Sequence, residues 1–249
     1  MFRFVGRTAI VTGAGSGIGK AVAEQLAGEG ARIIALDTSF PKIDNGPNRH
    51  IDLLFSSSNF VKIYHDASNP DHWDELLITL GVGGVDGVDI LINAANIMHY
   101  KPLDEMEYSD RRRIIGVNAE GIMLGMRAII PLIKAQGGGS IVNFSSALAT
   151  MNPVAYAAGK GAVMFHTRNA AVTYGADNIR VNAILFGIID TPMARAQEAD
   201  YNDTLVVRTP LRRMGTVREV ARCVLFMASD EAGLMTGSAV TVDGGVSIL

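Results

Sequence analysis

The sequence has few of the residues that would point to disulfides, metals or polyanionic partners. Its 249 residues include one cysteine, which excludes an intramolecular disulfide. The five histidines are scattered along the chain and show no spacing typical of metal ligands. The formal net charge of −3 gives no reason to expect a polyanionic partner. We therefore expect no metal and no nucleic-acid partner.

Long hydrophobic runs are also missing. No uninterrupted apolar stretch approaches the roughly 18–20 residues that span a bilayer. Residues 1–7 do not show the signal-peptide pattern of charge, long apolar run and cleavage site. We therefore expect a soluble, cytoplasmic protein without a membrane partner. The 48% of hydrophobic residues is nevertheless ample for a core, and the length fits one large α/β domain or two small ones.

Short apolar segments alternate with helix-like segments along the whole chain. The predicted strands are residues 8–12, 31–37, 60–65, 88–93, 140–144, 180–185 and 239–242. The predicted helices are residues 18–27, 73–80, 109–133, 156–174 and 217–228. This alternation is typical of a doubly wound parallel sheet in an α/β protein, with helices on both faces.

Two regions of the chain are irregular, and no internal repeat or linker divides it. We therefore expect residues 1–249 to form a single domain that binds a dinucleotide and carries the catalytic residues. Residues 38–59 contain two prolines, an Asn-Gly pair and three successive serines, which disfavour a helix. Residues 187–215 are polar and follow a strand end, so we expect them to form a substrate lid.

A glycine-rich turn separates the first predicted strand from the first predicted helix. Gly13, Gly17 and Gly19 would allow positive φ and let backbone amides approach a pyrophosphate at the helix N-terminus. Gly15 gives the turn further freedom, and the Ser16 hydroxyl could donate to a phosphate oxygen. A glycine-rich turn without a ligand is the alternative, because such motifs also occur by chance.

Asp37 bears on the choice of cofactor. It ends the second predicted strand, eighteen residues after Gly19, close to the offset at which an acid binds the ribose 2′-hydroxyl of NAD. A carboxylate there would repel a 2′-phosphate, and the next residues, Thr38 and Ser39, bring no cation. The position favours NAD over NADP. The alternative is that Asp37 is only a turn residue at a strand end.

Tyr156 precedes Lys160 by four residues, so both side chains lie on one face of the predicted helix. A phenol has an ordinary pKa near 10, and a nearby ammonium with a positive nicotinamide ring would stabilise the phenolate. Lowering that pKa to about 7 would need roughly 4 kcal/mol. Without the glycine-rich turn, an ordinary exposed pair would be the simpler interpretation. Together the two motifs indicate hydride transfer between a nicotinamide cofactor and an alcohol or carbonyl.

With these motifs the chain resembles the short-chain dehydrogenase/reductase family, from Thr12 to Gly245. The further matches are Asp66, Asn93-Ala94-Ala95, Asn118 in Val117-Asn118-Ala119, Ser145-Ser146, Arg180-Val181-Asn182, Thr191-Pro192-Met193 and Val242-Asp243-Gly244-Gly245. The resemblance implies a Rossmann-type sheet and an NAD-dependent oxidoreductase acting on CH–OH groups. It also implies a homotetramer, or at least a dimer, formed through the long helices 109–133 and 156–174.

The resemblance implies a role for each matching residue. Tyr156 would be the acid in reduction and the base in oxidation, Lys160 would lower its pKa, and Ser146 would bind the substrate oxygen with Tyr156. Asn118, the fourth implied catalytic residue, would hold a water that links Lys160 to solvent. The implied cofactor-binding residues are Gly13, Gly15, Ser16, Gly17, Ile18, Gly19, Asp37, Asp66, Ala67, Asn93, Ala95, Tyr156, Lys160, Ile188, Ile189 and Thr191.

The chain departs from the family pattern in three places. The usual Asn-Asn-Ala-Gly turn ends in Asn96 here, and Phe186 stands where a proline is usual before Gly187. Ser146 precedes Tyr156 by only ten residues, about three fewer than usual in the family, so the loop between them must be tighter. Ser146 still fits the strand phase better than Ser145.

The expected cleft walls are apolar: Met98, Leu148, Met151, Phe186 and Met193. They favour a neutral, moderately hydrophobic secondary alcohol or ketone as the small-molecule substrate. A 3-oxoacyl thioester reductase is the alternative among enzymes. A non-catalytic, NAD-sensing protein built on the same scaffold is the alternative outside them.

Overall fold

The computed structural model describes residues 2–42, 59–99, 101–149, 153–197 and 199–248. Within these ranges one sheet is formed by β1 (Thr8–Thr12), β2 (Arg32–Asp37), β3 (Phe60–Tyr64), β4 (Ile90–Asn93), β5 (Gly139–Ser146), β6 (Ile179–Phe186) and β7 (Ala239–Val242). The strands are parallel throughout and lie in the order β3-β2-β1-β4-β5-β6-β7. The predicted doubly wound parallel sheet is confirmed.

Helices cover both faces of this sheet. They are α1 (Gly17–Gly28), α2 (Pro70–Val82), α3 (Tyr108–Ile115), α4 (Gly121–Ala135), α5 (Val154–Tyr174), α6 (Pro192–Arg195), α7 (Ala199–Arg208) and α8 (Val217–Ala228). Successive residues of a strand point to opposite faces. Thus Ala9 and Val11 pack in one core cluster with α1 and α8, whereas Ile10 packs in the other with α2, α4 and α5.

The segment predicted as one helix over 109–133 consists of three parts. A π-helical turn, Gly116–Glu120, separates α3 from α4. The whole span Tyr108–Ala135 is long and apolar enough to cross a membrane by length and composition alone, but 61% of its apolar window is buried inside the domain. Ile122, Ile129 and Ile133 pack in the core. Burial against the sheet therefore explains its apolar character.

The order of the strands determines where a ligand can bind. The chain runs outward from β1 to β2 and β3 on one side and from β4 to β7 on the other. In such sheets a crevice opens at the carboxyl ends of the strands where the order reverses, here between β1 and β4. The turn after Thr12 and the turn after Asn93 meet there.

Some predicted bounds change. β5 extends through Ser146, and α5 begins at Val154, two residues before Tyr156. Residues 187–215, predicted to be irregular, contain the helices α6 and α7. Most of the irregular segment predicted at 38–59, namely 43–58, lies outside the described residues, as does Met151.

Candidate active site

The turn after β1 accepts only glycine at its closest contacts. Gly13 and Gly17 have φ of +64° and +54°, a region that suits glycine. A Cβ on Gly13 would lie 2.8 Å from the backbone nitrogen of Ala95, and one on Gly19 would overlap the Gly13 carbonyl oxygen. A Cβ on Gly15 would overlap the Ser39 hydroxyl. The absence of side chains at these glycines therefore lets the turn pack closely against the Ala95 backbone, the Ser39 side chain and the start of α1.

The N-terminus of α1 opens into a cavity of about 380 Å³. Ser16 is the N-cap residue, and its hydroxyl makes no capping hydrogen bond. The first-turn N–H groups of a helix favour an anion, because they have no partner within the helix. Ser16, Gly17, Ile18 and Gly19 all line the cavity. This end of the cavity therefore fits the pyrophosphate of a dinucleotide.

Asp37 lies beside that turn, at the end of β2, and lines the same cavity. One carboxylate oxygen accepts a hydrogen bond from the Gly15 nitrogen at 2.9 Å, and the other accepts one from the Ser39 nitrogen at 2.8 Å. These two bonds fix the carboxylate at the edge of the cavity.

Asp66 and Ala67 follow β3 and line the cavity next to Asp37. The Asp66 nitrogen donates to Nδ1 of His72 at 2.9 Å, and the Asp66 carboxylate accepts from the Ser68 nitrogen and hydroxyl at 2.9 and 2.7 Å. Burial raises the pKa of Asp66, but the bonds from Ser68 outweigh it, so the pKa lies below its ordinary value. The carboxylate is thus ionised and held in place.

The turn after β4 is fixed from both sides. Thr12 Oγ1 accepts hydrogen bonds from the nitrogens of Ala94 and Ala95 at 3.0 and 3.1 Å. Ala95 lines the cavity, as expected of a cofactor-binding residue. Asn93, expected at the ribose, is instead buried outside the cavity, where its Nδ2 donates to Asn143 Oδ1 at 2.8 Å. It connects β4 to β5.

Asn118 lies in the π-helical turn and is fully buried. Its Oδ1 accepts from the Ile97 nitrogen at 2.9 Å, and its Nδ2 donates to the Ile97 oxygen at 2.8 Å. The side-chain amide therefore binds the Ile97 backbone at both ends, and the role of Asn118 in a water relay stays a prediction. Asn118 fixes the chain that leaves β4.

Tyr156 and Ser146 meet at the other end of the cavity. Both line it, and Tyr156 is buried. The hydroxyl oxygen of Ser146 also accepts from the Leu148 nitrogen at 3.2 Å. Ser145 lies outside the cavity and donates to the Lys160 carbonyl at 2.9 Å. Of the two serines, Ser146 is thus the one that lines the cavity.

Comparisons with known proteins agree with this geometry. Residues 13–247 match a family model described as Enoyl-(Acyl carrier protein) reductase. The chain is 35% identical to a cis-4-hydroxycyclohexanecarboxylate dehydrogenase of Sinomonas cyclohexanicum over 246 residues, 97% of each chain. It is also 35% identical to the 3-oxoacyl-[acyl-carrier-protein] reductase FabG of Thermotoga maritima over 249 residues, which cover 99% of this chain and all of that one. A Beutenbergia cavernae structure with bound NADP at low occupancy superposes with a TM-score of 0.86 at 29% identity, covering 100% of this chain and 99% of that one.

The chain belongs to the short-chain dehydrogenase/reductase family. It is therefore an oxidoreductase that acts on CH–OH groups with a nicotinamide cofactor.

Lys160 of this dehydrogenase/reductase is fully buried and lies outside the cavity. Its Nζ donates to the Phe144 carbonyl at 3.0 Å and lies 5.7 Å from the centre of the Tyr156 ring. Burial lowers the pKa of Lys160 to about 7. Burial also raises the pKa of Tyr156, and the side chains of Ser146 and Asn96 oppose that rise. The lowering of this pKa by Lys160 stays a prediction.

The sequence of this dehydrogenase/reductase did not indicate several of the polar residues that line the cavity. The expected walls Met98, Leu148, Phe186 and Met193 line the cavity, with Ile188, Ile189 and Thr191 beside them. Polar side chains also line it: Asn96, Arg113, Gln197, Tyr201 and Asn202. The sequence signalled only Asn96, as a departure from the family turn. Gln197, Tyr201 and Asn202 lie in the predicted lid, 187–215, but the sequence singled out none of them, because no helix was predicted there.

Proposed function

We propose that this protein is an NAD(H)-dependent oxidoreductase that interconverts a secondary alcohol and a ketone, with Tyr156 as the acid/base. One observation carries the proposal. A single cavity runs from the glycine-rich turn and Asp37 to Ser146 and the buried side chain of Tyr156. A dinucleotide and a small alcohol together need such a cavity, with an anion site at one end and a proton-transfer group at the other.

Each residue has a defined task in this proposal. The nicotinamide, when bound, supplies the hydride acceptor in oxidation and the donor in reduction. Tyr156 takes the hydroxyl proton as the alcohol is oxidised and returns it as the ketone is reduced. Ser146 donates a hydrogen bond to the substrate oxygen and stabilises its developing charge.

The residues that would hold the cofactor form three groups. The pyrophosphate would lie on the turn formed by Gly13, Gly15, Ser16, Gly17, Ile18 and Gly19. Asp66, Ala67 and Ala95 would contact the adenosine, and Ile188, Ile189 and Thr191 would contact the carboxamide. Lys160 lies outside the cavity with its amine on the Phe144 carbonyl, so its side chain would have to change conformation to reach the nicotinamide ribose.

The preference for NAD over NADP rests on Asp37. Its carboxylate is fixed at the cavity edge by the Gly15 and Ser39 nitrogens. A 2′-phosphate beside it would meet a like charge. The similar structure from B. cavernae holds NADP, so the preference of this chain has to be measured directly.

The substrate that fits best is neutral and moderately hydrophobic. Met98, Leu148, Phe186 and Met193 supply apolar walls to the cavity that Tyr156 also lines. The S. cyclohexanicum relative acts on a ring alcohol that also carries a carboxylate, and the ring of that substrate agrees with such walls. A 3-oxoacyl thioester reductase is the second candidate, because FabG is similar to the same degree.

Initial rates with a panel of cyclic and acyclic secondary alcohols, ketones and one 3-oxoacyl thioester test the proposal. We expect turnover of ring alcohols and ketones and at least tenfold higher kcat/KM with NAD(H) than with NADP(H). Exclusive activity on the thioester with NADPH would establish the second candidate. Tight NADH binding without turnover on the whole panel would instead favour an NAD-sensing protein.

We also propose that residues 187–215 close over the substrate, since α6 and α7 contribute to the cavity wall.

For the assembly we propose a homotetramer formed through α4 and α5. Met123, Phe165 and Val172 are large apolar residues exposed on these helices, at 49%, 74% and 86%. Light scattering of the purified protein would give the oligomeric state. A single domain and a cytoplasmic location stay predictions.

A further inference from the structure

The end of β5 is joined to α5 by two hydrogen bonds that meet at Lys160. Successive residues of a strand face opposite sides of a sheet, so Ser146 lines the cavity while Ser145, only 2% exposed, faces α5. The Ser145 hydroxyl donates to the Lys160 carbonyl at 2.9 Å. The Lys160 amine donates to the carbonyl of Phe144, the residue before Ser145, at 3.0 Å. One residue of α5 is therefore bonded in both directions to neighbouring residues of β5.

This link lies close to Tyr156 along α5. Tyr156 precedes Lys160 by four residues, which is about one helical turn. A second link between the same strand and helix lies about two turns beyond Lys160, where Asn143 Nδ2 donates to Thr167 Oγ1 at 3.0 Å. Of the two links, the one made by Ser145 is therefore the one that determines where the first turns of α5 lie.

The same turn of α5 also packs against the π-helical turn. A Cβ on Gly159 would lie 3.1 Å from the Asn118 Cβ, so the two backbones approach closely at this point. The helix is thus fixed by packing at Gly159 and by a hydrogen bond from Ser145 at the next residue. The position of Tyr156 follows from these two contacts.

We propose that Ser145 is a positioning residue, whose bond to the Lys160 carbonyl holds the first turns of α5 so that Tyr156 meets the substrate oxygen beside Ser146. This inference rests on the proposed function, in which Ser146 and Tyr156 act on the same oxygen. Such a pair works only at hydrogen-bond distance, and a displacement of about 1 Å can lower a rate about a hundredfold. Loss of the Ser145 hydroxyl should therefore lower kcat and leave cofactor binding unchanged.

Ser145→Ala and Ser140→Ala form a matched pair for the test. Ser140 also lies in β5, is also 2% exposed, and donates through its hydroxyl to a helix carbonyl, that of Met227 in α8, at 3.2 Å. Each variant loses one buried hydrogen bond, so both should lower Tm by a similar amount, about 2–4 °C.

The two variants should differ in catalysis. At a temperature well below both Tm values, we expect kcat for alcohol oxidation to fall about tenfold in Ser145→Ala and to stay within about twofold of wild type in Ser140→Ala. NADH affinity, measured by fluorescence titration, should be unchanged in both. Equal losses of kcat in the two variants, or no loss in Ser145→Ala, would overturn the proposal.

A second pair of variants tests the hydroxyl at constant side-chain shape, and it also serves if Ser145→Ala does not fold. Threonine and valine are both β-branched, but only threonine can donate to the Lys160 carbonyl. We expect kcat to be at least about fivefold higher in Ser145→Thr than in Ser145→Val, the difference that one hydrogen bond makes. Equal kcat values in these two variants would count against the bond.

Hydrogen exchange separates this inference from the proposed function. Amide exchange of residues 154–160, followed by mass spectrometry without substrate, reports local opening of the first turns of α5. We expect faster exchange in Ser145→Ala than in wild type or Ser140→Ala. If nothing on the panel is turned over, the proposed function fails, but this faster exchange should remain. Unchanged exchange in Ser145→Ala would overturn the role of Ser145 whatever the activity.

Discussion

The two ends of the cavity are built in different ways. At the nucleotide end, close backbone packing determines the shape: Gly13 and Gly19 leave no room for a Cβ, and Asp37 is tied to the Gly15 nitrogen. At the catalytic end, buried polar side chains join distant segments. Asn118 binds Ile97 across 21 positions of the chain, and Lys160 binds the Phe144 carbonyl across 16.

The difference shows which properties each end controls. Backbone sterics at the nucleotide end restrict the shape of a ligand, and in the proposed function the fixed carboxylate of Asp37 disfavours a 2′-phosphate. At the catalytic end burial changes proton affinities, since the pKa of Tyr156 is raised and that of Lys160 is lowered to about 7. Substitutions at the first end should therefore change cofactor binding, and those at the second should change turnover and pH dependence.

Tyr156→Phe should have the largest effect, because it removes the proposed proton-transfer group and little volume. We expect kcat to fall by about 10²–10⁴, the usual contribution of general acid–base catalysis, with NADH affinity nearly unchanged. Steady-state rates and NADH fluorescence titration measure the two quantities. Tyr174→Phe, on the same helix with its ring beside Lys134, is the control and should keep full activity. Retained turnover in Tyr156→Phe would show that Tyr156 is not the acid/base.

Gly19→Ala should weaken NADH binding, in contrast to Tyr156→Phe, because Gly19 lies at the nucleotide end. Its Cβ would overlap the Gly13 carbonyl oxygen, so the turn must move away from its binding geometry. We expect NADH affinity to fall by at least about tenfold, which is about 1.4 kcal/mol. Gly28→Ala, in the same helix with open space around its Cβ position, should leave affinity unchanged and slightly raise stability. Unchanged NADH affinity in Gly19→Ala would show that the two ends do not differ as described.

The nucleotide end of the cavity could be predicted from the sequence better than the catalytic end. The strands, the glycine-rich turn and Asp37 could be predicted because their determinants are local: apolar runs, glycine sterics and a fixed offset along the chain. The contacts of Asn93, Asn96 and Lys160 could not, because each depends on which distant segment faces the residue. Asn93 reaches Asn143 across 50 positions, a pairing that only the strand order β1-β4-β5 creates.

Asp37→Asn tests the charge of the nucleotide end without changing its shape. The amide oxygen can still accept one of the bonds from Gly15 and Ser39, whereas the negative charge is lost. We expect the ratio of NAD(H) to NADP(H) efficiency to fall about tenfold. Glu24→Gln removes an exposed charge from α1 and serves as the control, with no expected change in the ratio. A constant ratio in Asp37→Asn would show that another group discriminates the cofactors.

Lys160→Met should remove the proposed ribose contact, and beyond that it should change stability only slightly, in the direction of greater stability. Burial lowers the pKa of Lys160 to about 7 from 10.5, so the folded state disfavours the ammonium and the unfolded state does not. Below about pH 7 both states carry the proton, and the folded state bears the full cost of the buried charge. Between about pH 7 and 10.5 the folded state releases the proton first, so this cost declines as the pH rises.

Methionine removes that cost together with the amine. We expect a higher Tm for Lys160→Met at about pH 6, at about 2–4 °C for each kcal/mol recovered, and a difference that shrinks towards pH 9. The lost bond to the Phe144 carbonyl offsets about 1 kcal/mol of the gain. Lys134→Met, which removes an exposed amine paired with Asp177, should show no such pH-dependent gain. A Lys160→Met variant less stable than wild type at pH 6 would mean that the buried amine holds the catalytic end together. The contrast between a nucleotide end fixed by backbone sterics and a catalytic end destabilised by a buried amine would then be wrong.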